Sequence, residues 1–66
     1  MFIIEESTDN GVNWKPIKRF EDPIRAIYDF DGYRDAVQAG LLDDAIYRVV
    51  DGNGRIIRQP NSRQLV

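Results

Sequence analysis

Eleven carboxylates, with no histidine and no cysteine, bound the chemistry open to this 66-residue chain. Without an imidazole or a thiol, the usual nucleophile–base dyads cannot be assembled, and Ser7 and Ser62 have no nearby candidate base. Carboxylate pairs are the remaining route. Glu5 and Glu6 are neighbours in a run of β-formers, so their side chains point to opposite faces. Asp43 and Asp44 fall in a turn ahead of a strand, where exposed acids need no special account. Asp29, Asp31 and Asp35 supply the oxygen donors that calcium or magnesium takes. A capping aspartate plus surface acids explains them more simply. The expectation is therefore a non-enzyme, with no catalytic, cofactor or metal residue assigned.

Two turn-forming stretches look like known motifs. Asp51-Gly52-Asn53-Gly54-Arg55-Ile56 is similar to the middle of an EF-hand calcium loop. On that alignment the first ligand position is Val49 and the bidentate glutamate position is Pro60, so both ends of the coordination shell are missing. A β-hairpin turn is the better reading. Ser7-Thr8-Asp9-Asn10-Gly11-Val12-Asn13-Trp14 resembles the Asp-box, S-x-D-x-G-x-T-W, a hairpin turn of sialidases and many unrelated β-rich proteins. In these residues Asp9 can accept hydrogen bonds from loop amides, Gly11 can take a positive φ, and Trp14 can cover the turn. Asn13 departs from the usual Thr or Ser. The resemblance implies a structural hairpin and no glycosidase activity.

Two stretches could form binding surfaces. Tyr28, Asp29, Asp31, Tyr33 and Asp35 set aromatics beside acids, a combination that buries area at small entropic cost. With Trp14 as a second edge, these are the residues expected to bind protein. Against this, Phe30 and Tyr33 can be core residues flanking the helix cap, which is the better reading for Phe30, while Tyr28 divides evenly between the two. Lys15-Pro16-Ile17-Lys18-Arg19, between Trp14 and Phe20, could contact phosphates and stack bases. Charges on an edge strand that block unwanted pairing explain that stretch better.

The elements that must position these residues are short. Phe2 to Glu6 reads as a strand, Thr8 to Gly11 as its turn, and Trp14 to Phe20 as the returning strand. Pro16 places that second strand at an edge or a bulge. Asp22-Pro23 is a helix-start signal, yet Ile24, Ala26, Tyr28 and Phe30 alternate at strand spacing. Residues 23–30 are read as a short strand or irregular connection. A helix is expected over about 32–39, capped by Asp31 and stopped by Gly40, with Asp35 favouring its dipole. Leu41 and Leu42 are expected to anchor its exit to the sheet. Ala45 to Val50 and Arg55 to Gln59 form a second hairpin across Asp51 to Gly54. The fold class is α+β: a small antiparallel sheet of three to five strands, made of two hairpins, with one short helix packed on a face. Residues 1–60 form the single domain, and 61–66 a flexible polar tail.

Composition sets the rest. A chain of this size buries only about 60% of the surface it exposes unfolded, so its core supplies ~3–5 kcal/mol. With no disulfide to staple it, self-association is an alternative route to stability. Net charge is −2, too mild to indicate an acidic mimic of DNA or a nucleic-acid binder. Residues 52–66 carry a local +3 and residues 1–51 a local −5. No run approaches the roughly 20 apolar residues of a membrane span, and the first residues lack the features of a secretory signal. A cytoplasmic location is expected. In style the chain is reminiscent of small bacteriophage and prophage proteins, which implies an accessory or inhibitor protein acting on a host protein. The leading expectation is thus a non-enzymatic module that binds another protein. The alternatives are a homo-oligomeric structural protein and a weak nucleic-acid binder using the Lys15–Arg19 edge and the C-terminal arginines.

Overall fold

β-Branched and aromatic side chains suit a pleated, half-buried surface, and they are concentrated in the strands that become the middle of the sheet. The computed structural model describes residues 1–42 and 44–58. In chain order the elements are β1 (Phe2–Ser7), β2 (Lys15–Phe20), α1 (Pro23–Gln38), β3 (Ile46–Asp51) and β4 (Ile56–Arg58). The strands form one antiparallel sheet in the order β2-β1-β3-β4. Since β2 and β3 both flank β1, the helix carries the chain across one face of the sheet from one side of β1 to the other. This is the α+β architecture the residue pattern implies, with both hairpins in place.

Side-chain alternation sorts the central strands into two faces. Phe2, Ile4 and Glu6 lie opposite Asp51, Val49 and Tyr47 on the helix side, while Ile3, Glu5 and Ser7 lie opposite Val50, Arg48 and Ile46 on the other. The core is the helix side: Ile4, Tyr47 and Val49 from the sheet meet Ala26 and Phe30 from α1. Phe2, Ile17, Phe20, Tyr33, Val37, Ala45 and Ile57 pack around them. Pro16 lies on an edge strand, and the β1–β2 register slips beside it, so that Ile4 faces Lys18 while Glu5 faces Pro16. Edge position and bulge both accommodate its missing N–H.

The helix corrects the expected boundaries. It spans 16 residues from Pro23, so residues 23–30 are neither strand nor irregular connection. Asp22, not Asp31, is the cap: its Oδ1 accepts the Ile24 N–H at 2.9 Å, and Pro23 takes the first helical position. The strand-like alternation misleads because two of its four members are surface groups. Ala26 and Phe30 are buried, but Ile24 is 74% and Tyr28 80% exposed. The stripe that meets the sheet is Ala26, Phe30, Tyr33 and Val37, at the 4-3-4 spacing of a helix face. With this longer helix, Asp35 falls in the last turn, where a negative charge opposes the dipole instead of favouring it.

The helix stops as expected at Gly40, whose φ is +78°. The Gly40 N–H donates to the Val37 carbonyl at 3.1 Å and the Leu41 N–H to the Ala36 carbonyl at 2.9 Å. This is the paired arrangement of a Schellman motif. Leu41 and Leu42 do not anchor the exit to the sheet; they are 78% and 41% exposed. At the far end of the sheet, the Asp51 carboxylate accepts the N–H groups of Asn53 and Arg55 at 2.8 and 2.9 Å and so closes the β3–β4 turn. Gln59 and the expected tail lie outside the described residues.

Candidate functional site

Exposed apolar side chains on one small domain matter when they gather. Tyr28, Gly32 and Ala36 follow one another at four-residue spacing, so they share a face of α1 beside the buried stripe. Together with Asp29, Tyr33, Leu41, Leu42 and Lys18 of β2, they line an open groove of about 340 Å³ between the helix and the edge strand. Leu41 reaches the groove because the Schellman turn folds it back towards Ala36, the pairing such a turn commonly makes. The space is an open trough and not an enclosed cavity.

The groove has a rigid wall and one ionic lip. The Tyr33 ring stacks on Tyr47, with centroids 5.0 Å apart and planes 21° from parallel. Tyr47 is itself held: its hydroxyl donates to Glu6 Oε2 at 2.8 Å. Burial, and then that carboxylate, push the Tyr47 phenol well above its ordinary range, so it remains a donor at any ordinary pH. At the lip, Lys18 Nζ lies 2.8 Å from Asp29 Oδ2 and 5.9 Å from the Tyr33 ring centroid. The hydrogen bond to Asp29 raises the Lys18 pKa, which keeps the ammonium charged. The two charges cancel, leaving a groove that is apolar within and neutral at its rim.

Of the six residues expected to bind protein, the structure brings together Tyr28, Asp29 and Tyr33. Asp31 and Asp35 lie outside the groove lining, with Arg34 reaching them at 3.4 and 3.5 Å. The carboxylates considered for a metal are thus spent separately, Asp29 on Lys18 and the other two on Arg34. Among the described residues no group of three metal-ligating side chains converges. Trp14 belongs to the opposite face. Its ring lies 4.1 Å from the Arg48 guanidinium, and Arg48 Nε donates to Glu5 Oε1 at 2.8 Å. The basic-aromatic stretch from Trp14 to Phe20 therefore forms no single surface. Gly32 and Ala36 carry no signal of a site in the sequence, and Lys18, Leu41 and Leu42 are expected there in other roles. The signal available is the Leu41-Leu42 pair after a helix-stopping glycine, which lines the groove instead of anchoring to the sheet.

The loop between β1 and β2 is built around two side chains. Ser7, only 1% exposed, donates from Oγ to Asp9 Oδ1 at 2.7 Å and accepts the Gly11 N–H at 2.8 Å. Asp9 accepts the Asn13 N–H at 2.9 Å and the Asn13 side-chain amide at 2.7 Å. Gly11 has φ +91°, and the Trp14 indole N–H donates to its carbonyl at 3.1 Å. These donors, the Asn13 backbone first, hold the Asp9 carboxyl down to about 2 from an ordinary 3.8. A folded pKa below the unfolded one means stability that is complete above pH 4 and fades as pH falls towards 2. Asp51, lowered chiefly by the Arg55 N–H, acts in the same sense. Urea denaturation between pH 5 and pH 2 should show wild type losing more stability than Asp9→Asn, with the two curves converging at the acid end. Parallel curves would remove the loop role assigned to Asp9.

No helix among the described residues is long and apolar enough to cross a membrane. No protein-family model matches the chain, and comparison with curated proteins and with solved structures finds no match to either.

Proposed function

We propose that this chain is a small protein-binding module without catalytic function, which takes a segment of a partner protein into the groove between α1 and β2. Gly32 carries the reading. Glycine inside a helix costs about 0.5–1 kcal/mol relative to alanine. The usual reasons for accepting that cost are absent here. Gly32 is not among the positive-φ glycines, and a Cβ added to it would meet nothing within 4 Å among the described residues. Its bare backbone makes no close approach to any of them, but it deepens the floor of the groove. Tyr28 and Leu41 stand exposed on either side, and a partner side chain seated between them would cover both.

Selection of binders from a random peptide library displayed against the folded chain tests this reading. Gly32→Leu fills the groove floor while improving helix propensity, so the variant should melt no lower than wild type. Selected peptides should lose at least tenfold in affinity for Gly32→Leu and for Tyr28→Ala, about 1.4 kcal/mol or more. An empty selection, or binders indifferent to Gly32→Leu, would contradict the proposal.

A further inference from the structure

The groove runs beside a strand edge that is unpaired among the described residues. There β2 is bonded to β1 on one side only, so alternate N–H and C=O groups along it point outward with no partner in the sheet. Pro16 has no N–H to offer, which leaves Ile17 to Phe20, the part beside Lys18 and the groove, as the stretch able to pair. We propose, building on the groove as the binding site, that the partner segment is an extended acidic strand that adds to the β2 edge. Its alternate apolar side chains drop into the groove and the intervening acids face the other way.

Three observations determine this occupant. The first is direction. Side chains of an added strand alternate between the two faces of the sheet, and the groove lies on the helix face. Every second residue of the segment therefore meets Tyr28, Gly32 and Leu41. The second is charge. β2 carries Lys15, Lys18 and Arg19, and of these only Lys18 has an acid within ion-pair distance among the described residues. Arg19 pairs with Ile3 in the register, so it lies on the face away from the helix, where the segment's acids arrive. The third weighs against a second copy of this chain. Neither edge strand, β2 (Lys15–Phe20) nor β4 (Ile56–Arg58), contains an acid, so pairing β2 with either brings no opposite charge to Lys15 and Arg19. A partner strand must bring the opposite sign, and main-chain pairing with pockets for alternate side chains is an established recognition mode.

Labelled six-residue peptides of alternating Val and Glu, read by fluorescence anisotropy on the full chain, test the proposal. Binding is expected, with at least tenfold weaker binding of the Val and Lys counterpart and about fivefold weaker binding to Arg19→Glu. N-methylation of one alternating set of peptide nitrogens should abolish binding, and N-methylation of the other set should leave it intact, because only one set faces β2. Full tolerance of both methylated forms, with loss of binding on Gly32→Leu, would overturn strand addition while leaving the groove as the site. Equal binding of the Glu and Lys peptides would overturn the acidic partner. Binding that survives Gly32→Leu would overturn both the strand proposal and the groove beneath it.

Discussion

Phe30→Ala is expected to leave most of the chain unfolded at 25 °C. Phe30 is 3% exposed and sits in the contact between α1 and the sheet, against a core whose other buried members are Ile4, Ala26, Tyr47 and Val49. Truncating a buried phenylalanine costs about 3–5 kcal/mol, from lost transfer energy and the cavity left behind. A domain of this size has only ~3–5 kcal/mol in total. The loss matches the whole margin. Circular dichroism and Trp14 fluorescence should show no cooperative melt for Phe30→Ala. Ile24→Ala is the control: Ile24 is 74% exposed on the same helix, and its loss should move stability by less than about 0.5 kcal/mol. A cooperative Phe30→Ala melt within about 1 kcal/mol of wild type would mean that the helix does not rest on the sheet as described.

The second large effect belongs to the opposite face. Arg48 bonds Glu5 and covers Trp14, and the two charged side chains are 24% and 18% exposed. Exposed pairs contribute up to about 1 kcal/mol, whereas breaking a buried pair costs about 3–5 kcal/mol. These side chains lie between those limits, and the cation over the indole adds about 0.5–1 kcal/mol. Arg48→Ala should therefore destabilise by about 2–3 kcal/mol. The mechanism requires non-additivity. Once Arg48 is gone, Glu5→Gln should cost much less than it does in wild type, because its partner has already been removed. Additive losses in that double-mutant cycle would show that Arg48 acts through packing on Trp14 alone.

Both hairpins could be read from the sequence because their information is local. Asp9, Gly11 and Trp14 sit within one loop, and Asp51 to Gly54 within another, so neighbouring residues supply the hydrogen bonds and the positive φ. Gly40 was readable for the same reason. The extent of α1 was not. Ile24 and Tyr28 are apolar yet exposed, and including them in the pattern gave a two-residue period where Ala26, Phe30, Tyr33 and Val37 make a helical one. Which apolar residues are surface groups depends on what the far strands cover, and that is settled by tertiary packing. The same limit applies to the groove. Tyr28, Asp29 and Tyr33 stand out as types, but Lys18 joins them only because β2 is the edge strand next to the helix. Gly32 acquires meaning only when the space above it is seen to be empty.

The location of binding is tested directly by titrating isotope-labelled protein with a library-selected peptide and following backbone amide shifts. Binding in the groove between α1 and β2 predicts the largest changes at Lys18, Gly32, Tyr33, Ala36 and Leu41, with the Trp14 indole and the Arg48 amide unmoved. Changes centred on Trp14, Arg48 and Val50, with the Gly32 amide silent, would contradict it and move the binding surface to the other face of the sheet.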